Sequence, residues 1–303
     1  MIPIISKINS MLIDVPQWEL NDMDSRVIDL ALQEDLGQPY HDLTTETLFA
    51  ESHSISKVNI ISKQVQPIVM CGLPMVRAIL AKIGGHCQLD SDYQDGEKVL
   101  PGATLLTLSG QAGRILMVER ILLNFLQRLC AIATTTALFV QRVQHTHTTI
   151  LDTRKTIPGW RHLEKYAVTC GGGSNHRMGL YDAVMIKDTH IDCLGGMSNA
   201  LAALPNTLVK RCPIIVEVRT QEELAVVLNQ GLAKISRVLL DNMSLPFLSD
   251  CVAACKGLIA TEASGNVDLD NVQAIAECGV DFISIGKLTH SAGNIDLSMK
   301  YES

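Results

Sequence analysis

A chain of 303 residues, 47% hydrophobic and 19% charged, is long enough for a barrel of roughly 200–250 residues plus a smaller unit, and too apolar for extensive disorder. Its formal charge of -7 argues against a dedicated nucleic-acid binder, which needs a basic face, so an anionic substrate must meet a local basic pocket. Nine cysteines without a Cys-x-x-Cys pair, an apolar N-terminus interrupted by Lys7 and Asp14, and no run of ~20 apolar residues lead to the expectation of a cytoplasmic protein with reduced core thiols and neither signal peptide nor membrane span.

From Asp24 to Leu36 the residues Val27, Ile28, Leu30, Ala31 and Leu32 recur at helical spacing, with Asp24 or Ser25 as cap and Gly37 as stop. Residues 57–110 change character. Short β-branched or alternating runs, Lys57–Ser62 and Gly102–Leu108, flank a helical stretch from Pro74 to Ile83, which predicts a small α+β domain. Ile115 to Val143 has no Pro or Gly and reads as one long helix that carries Glu119, Arg120, Asn124 and Gln127 near one another on its surface.

Beyond it, apolar strands alternate with helical stretches: Thr149–Asp152, Ala183–Lys187, Ile214–Val218, Arg237–Asp241, Leu258–Glu262 and Asp281–Ile285. Repeated β-then-α units favour a parallel sheet, either closing as a barrel with its active site at the strand C-termini or remaining open and doubly wound. No GxGxxG follows the first strand, which weakens the dinucleotide-binding version of the open sheet. Asp152, Lys187, Glu217, Asp241 and Glu262 fall at the expected strand ends.

Residues 151–190 contain six Lys or Arg against four Asp or Glu, a cationic island in an acidic protein. It includes Gly171, Gly172 and Gly173, where backbone amides could approach a ligand unhindered by Cβ. Arg161, His162 and Lys165 read as a solvated helix face. Arg154, Lys155 and Lys187, at strand ends, call for an anionic partner, and His176 with Arg177 stands beside the glycines. Glu217 and Asp241, on consecutive strand ends, suit Mg²⁺ or ribose hydroxyls, or else balance the neighbouring lysines. EASGN (262–266) and SIGKLTHS (284–291) carry small residues after a strand, where backbone could cradle phosphate.

Together, DTRKT (152–156), KYAVTCGGGSNHRMGLYDAVMIKDTH (165–190), LLDN (239–242), EASG (262–265) and IGKLTHS (285–291) resemble the motif series of quinolinate phosphoribosyltransferases. ALQEDLG (31–37), DLTTE (42–46) and ERILLNFLQRLCAIAT (119–134) resemble the N-terminal domain and connecting helix of that family. The resemblance implies a type II phosphoribosyltransferase fold: an N-terminal α/β sandwich at 1–130, with segment 292–303 packing back on it, and a seven-stranded open α/β barrel at 131–291, against the six strands read above. It implies Mg²⁺-dependent transfer of phosphoribosyl from phosphoribosyl pyrophosphate to quinolinate with loss of CO₂, in NAD biosynthesis. Arg120, Arg154, Lys155, His176, Arg177 and Lys187 correspond to the pyridine-dicarboxylate site. Glu217 and Asp241 correspond to the ribose and metal site, the metal held directly or through water, and Ser264, Gly265, Gly286 and His290 to the 5′-phosphate loops. Lys155, Lys187, Glu217 and Asp241 are the implied catalytic set.

The implied assembly is a homodimer, or a larger oligomer containing it, in which Arg120 enters the partner's active site. Arg219 stands where the pattern has a carboxylate, and Thr189, His41 and Lys287 also depart from it. The ring proton falls to His176 or Lys155. Strand position alone also permits a Schiff-base aldolase using Lys187, and a related enzyme acting on another pyridine acid is the nearer alternative.

Overall fold

The computed structural model describes residues 18–49, 54–84 and 87–302, so the reading of Lys7 and Asp14 lies outside the described residues. In chain order come α1 (Asp22–Leu36), α2 (Leu43–Leu48), β1 (Ile55–Ser62), β2 (Ile68–Val69), α3 (Leu73–Ile83), β3 (Gln88–Asp90), β4 (Lys98–Val99), β5 (Thr104–Gln111) and the long α4 (Ala112–Val143). Next are β6 (Thr149–Leu151), α5 (Arg161–Cys170), β7 (Val184–Ile186), α6 (Asp188–Cys193), α7 (Met197–Ala202) and α8 (Asn206–Val209). A regular alternation follows: β8 (Ile214–Val218), α9 (Gln221–Gln230), β9 (Arg237–Asp241), α10 (Leu245–Cys255), β10 (Ala260–Ser264), α11 (Val272–Glu277), β11 (Phe282–Ser284) and α12 (Lys287–His290). Strand β12 (Leu297–Tyr301) ends the series.

Two compact units form. The first takes the described parts of 1–137, 157–172 and 292–303, and the second takes 138–156 and 173–291. The expected boundaries near residues 130 and 291 leave segment 157–172 in the barrel, whereas it clusters with the first unit.

In the first unit a four-stranded antiparallel sheet has the order β12-β1-β5-β3. Alternation along β1 buries Val58, Ile60 and Ser62 on one face. Helix α1 starts one turn earlier than its apolar spacing implies. Asn21 is the cap, and Asp24 is the third helical residue of a capping box whose two bonds measure 2.9 and 3.2 Å. Gly37 stops it at φ 72, and Ile28, Leu32 and Leu36 are buried. Helix α5 corrects an expectation. Lys165 is buried, Glu164 accepts from Arg128 at 2.7 Å, and His162 meets Asp24 at 2.6 Å, so these charges are packed inside the unit. Charge spacing alone does not separate a solvated helix face from a buried, paired one.

The second unit holds six parallel strands in the order β6-β11-β10-β9-β8-β7, with β6 and β7 as the edge strands of an open barrel. On the outer edge of β6, Ser174 makes a single parallel bridge to Leu151. Every strand lies within two residues of its expected position, and β10 carries the one consequential shift. Leu258 and Ile259 hydrogen-bond back to the Cys255 carbonyl at 2.9 and 3.2 Å, so the chain extends only from Ala260. Glu262 is therefore mid-strand and fully buried, not at a strand end. Parallel pairing sends the residues after β6, β7, β8, β9, β10 and β11 to one end of the sheet.

Candidate active site

At that end a cavity of about 760 Å³ opens within the second unit. Arg154, Lys155, His176, Arg177, Lys187, Glu217, Asp241, Ser264, Gly265, Gly286 and His290 all line it. Arg120 does not; it is exposed on α4 in the first unit. The glycine triplet has a different use from the one expected. A Cβ on Gly171 would stand 2.4 Å from the Ala133 carbonyl and 2.6 Å from Thr136 Cβ, so this glycine lets the end of α5 close on α4. None of the three lines the cavity.

Asp152, fully buried at the end of β6, takes the His176 amide at 2.8 Å and so holds the loop that presents His176 and Arg177. Below it the Asp182 carboxylate accepts the amides of Met178 and Gly179 at 2.6 and 3.0 Å, closing the following turn. Arg177 donates to the Ala183 carbonyl at 2.9 Å. Burial first, and then the neighbouring Arg154, depress its proton affinity. Two guanidiniums that repel one another in a cavity form a site prepared for an anion.

Carboxylates crowd the same cavity. Burial, with Asp188 and Asp241 nearby, raises the Glu217 carboxyl above its ordinary value, against the opposing pull of Lys187 and Arg219. Among the described residues the one group whose three Cys, His, Asp or Glu ligand atoms lie within 4.8 Å of each other is Cys71, Asp95 and Cys170. There Asp95 already accepts the Gly72 and Leu73 amides and the Tyr166 hydroxyl. Glu217 and Asp241 thus make no closed protein cage. Their hard oxygen donors suit a divalent cation completed by water and substrate oxygens.

The loops after β9 and β10 are tied to the Asp241 carboxylate. The Ser264 hydroxyl donates to Asp241, the Asn242 amide donates to Asp241 at 2.7 Å, and Asn266 donates to Asn242 at 2.9 Å. Asn242 and Asn266 hold left-handed backbone at φ 53 and 50 and line the cavity. The sequence reading singled out neither. Their signal is an Asn directly after a strand-end motif, since Asn is the side-chain residue that best tolerates this conformation. Gly286 leaves space that Lys155 and His290 fill, because its Cβ would meet them at 2.9 and 3.1 Å. Arg219 turns away to Asp192 at 2.9 Å and Glu223 at 2.6 Å, joining α6 to α9 outside the cavity lining.

Cations and carboxylates gathered at the strand C-termini of an open α/β barrel define a site for polyanionic small molecules. Residues 42–130 match the quinolinate phosphoribosyl transferase N-terminal domain and residues 132–300 match the C-terminal domain, so the chain belongs to the quinolinate phosphoribosyltransferase family. The chain is 37% identical over 297 residues to quinolinate phosphoribosyltransferase [decarboxylating] 1b of Nicotiana tabacum, spanning 91% of this chain and 82% of the relative. To the probable nicotinate-nucleotide pyrophosphorylase [carboxylating] of Bacillus subtilis it is 35% identical over 266 residues, 88% of this chain and 89% of the relative. The solved nicotinate-nucleotide pyrophosphorylase of Francisella tularensis superposes with a TM-score of 0.86 at 36% identity, covering 94% of this chain and 98% of that one.

Proposed function

We propose that the protein joins quinolinate to phosphoribosyl pyrophosphate, releasing pyrophosphate and CO₂ and leaving nicotinate mononucleotide for NAD biosynthesis. The observation that carries this reading is that Arg154, Arg177 and Lys187 line one cavity together with Glu217 and Asp241. A dianionic pyridine relieves the first charge cluster and an oxocarbenium-like ribose faces the second. Arg154 and Arg177 recognise the two carboxylates, with Lys187 adding compact charge. Backbone and hydroxyl groups at Ser264, Gly265, Gly286 and His290 take the 5′-phosphate.

Glu217 and Asp241 would hold Mg²⁺, which supplies charge neutralisation for the departing pyrophosphate. With the ribose C1 electrophilic, the pyridine nitrogen forms the new C–N bond as the C1–O bond to pyrophosphate breaks. The quaternary ring nitrogen then stabilises the electron pair left on the adjacent carbon when CO₂ departs, and that carbon takes a proton. The His176 ring is buried, with Nδ1 accepting the Arg177 amide at 2.7 Å and Nε2 at an ion-pair distance of 3.4 Å from Glu262. Lys155, exposed and lining the cavity, is the more accessible proton donor of the two and takes that role in this reading.

The same reading places the chain in a homodimer, with exposed Arg120 completing the cavity of a second copy. It also places the enzyme in the cytoplasm, which the nine free cysteines support. Among the described residues no helix is long and apolar enough to cross a membrane.

Conversion of quinolinate and phosphoribosyl pyrophosphate to nicotinate mononucleotide, CO₂ and pyrophosphate, lost on chelation and restored by Mg²⁺, tests the proposal. Absence of product with folded protein and added Mg²⁺ refutes it. Borohydride trapping of a carbonyl substrate on Lys187 would instead support the Schiff-base alternative.

A further inference from the structure

We infer that Glu262 is a positioning residue: clamped by Arg237, it holds the His176 ring with its proton on Nε2, and through that ring fixes the backbone that presents Arg177 to the cavity. The inference rests on the reading of Arg177 as a quinolinate ligand. Glu262 is the third residue of β10, in register with Leu239 of β9 on one side and Phe282 of β11 on the other, so its backbone is held from both edges. Its side chain is fully buried. Arg237 donates from Nη1 to Glu262 Oε2 at 2.8 Å, and its guanidinium carbon lies 4.1 Å from the centre of the Phe282 ring, which fixes the donor in turn.

The other carboxylate oxygen, Oε1, lies 3.4 Å from His176 Nε2, an ion-pair separation and not a hydrogen bond of good geometry, so its hold on the ring is electrostatic. Because His176 Nδ1 accepts the Arg177 amide at 2.7 Å, that nitrogen carries no hydrogen and the ring proton belongs on Nε2, toward Glu262. Burial by itself would raise the Glu262 carboxyl, but His176, Arg237 and Ser284 together hold it below its ordinary range, so it is the anionic, acceptor-only form that stands between two donors.

Chemistry then restricts position 262. A glutamine has one acceptor and one donor end, so it satisfies either Arg237 or His176 and sets a donor against the other. Glu262→Gln is thus expected to turn the ring or shift its proton, loosening the 176–177 peptide. Removing the second donor should repair the damage: in Glu262→Gln with Arg237→Met the amide oxygen is free to turn to Nε2–H, while the methionine can still pack on Phe282.

Nitrogen-15 spectra of histidine-labelled full-length protein, with the His176 signals identified by their loss in His176→Gln, read this directly. Wild type should show a protonated Nε2 and an unprotonated Nδ1. Glu262→Gln should lose that pattern and raise the quinolinate KM roughly tenfold with a smaller change in kcat, because Arg177 contacts the carboxylate before and during reaction. The double variant should recover the pattern and most of the KM. A wild-type ring protonated on Nδ1 overturns the inference, as does a folded Glu262→Gln with wild-type spectrum and KM. Should Glu262→Gln fail to fold, the wild-type spectrum and the double variant still decide. If the chain does not use quinolinate, the spectra stand and only the kinetic arm fails, which separates the two errors.

Discussion

Replacing Gly265 by alanine puts the smallest side chain into the most constrained point of the cavity. At φ +91 an L-residue sits in a region it rarely occupies, at a cost of about 1–2 kcal/mol. The added Cβ would also stand 2.3 Å from Asn242 Oδ1 and 2.4 Å from its Cγ, inside any tolerable contact. Asn242 must therefore move. In moving it gives up its bond to Asp241 at 2.7 Å and its acceptance from Asn266 at 2.9 Å, each worth about 1 kcal/mol. The sum is about 3–4 kcal/mol, or roughly 10²–10³ in an equilibrium constant. Part will appear as lower stability in denaturant and the rest as weaker phosphoribosyl pyrophosphate binding, whereas the quinolinate KM should change by less than about threefold. Gly257→Ala is the control: at φ +75 with nothing within 4 Å of the new Cβ, it bears only the backbone cost of about 1–2 kcal/mol and leaves both KM values alone. Gly265→Ala with wild-type stability and wild-type phosphoribosyl pyrophosphate KM, or no worse than Gly257→Ala, would refute the reasoning.

Because burial, Asp188 and Asp241 raise the Glu217 carboxyl, its ionisation opposes folding above the raised value and not below the ordinary value of 4.5. Glu217→Gln should accordingly be more stable than wild type at neutral pH, with the difference shrinking to nothing as pH falls through 4.5, and should need more Mg²⁺ for activity; equal stability at pH 7 counts against the carboxylate cluster. Arg177→Ala should raise the quinolinate KM by roughly 10–100-fold while stability stays within about 1 kcal/mol, because the lost bond to Ala183 is offset by relief of the Arg154 repulsion; kinetics and denaturant titration check both halves. Arg120→Ala and Lys187→Ala should each be nearly inactive, and subunit exchange between them should return roughly a quarter of wild-type activity, since about half the dimers are hybrids with one intact pocket of two. No recovery after verified exchange would remove Arg120 from the partner's site.

The sequence by itself determined the order of the elements and most of the charged lining of the cavity. Period-two and period-3.6 patterns mark β1 and α1, a long aliphatic stretch without Pro or Gly marks α4, and short apolar runs mark all six barrel strands, because each element buries one face or both. A parallel sheet sends every strand's C-terminal residue to one end, so locating the strands also groups Lys187, Glu217 and Asp241 with the loops after β6, β10 and β11. What only the tertiary structure decided is which neighbours compete for each group. Lys165 has the spacing of a solvated helix face yet is buried, as is its neighbour Glu164, whose partner Arg128 is far away in the chain. Gly171 serves helix packing, and Arg219 serves Asp192 and Glu223. A two-residue shift in the start of β10, set by a turn at the end of α10, moves Glu262 from the mouth of the barrel to its interior, between Arg237 and His176. Patterning fixes the face a residue belongs to, but hydrogen bonds and ion pairs act over 3–4 Å between residues distant in sequence, and only the packed chain establishes those distances.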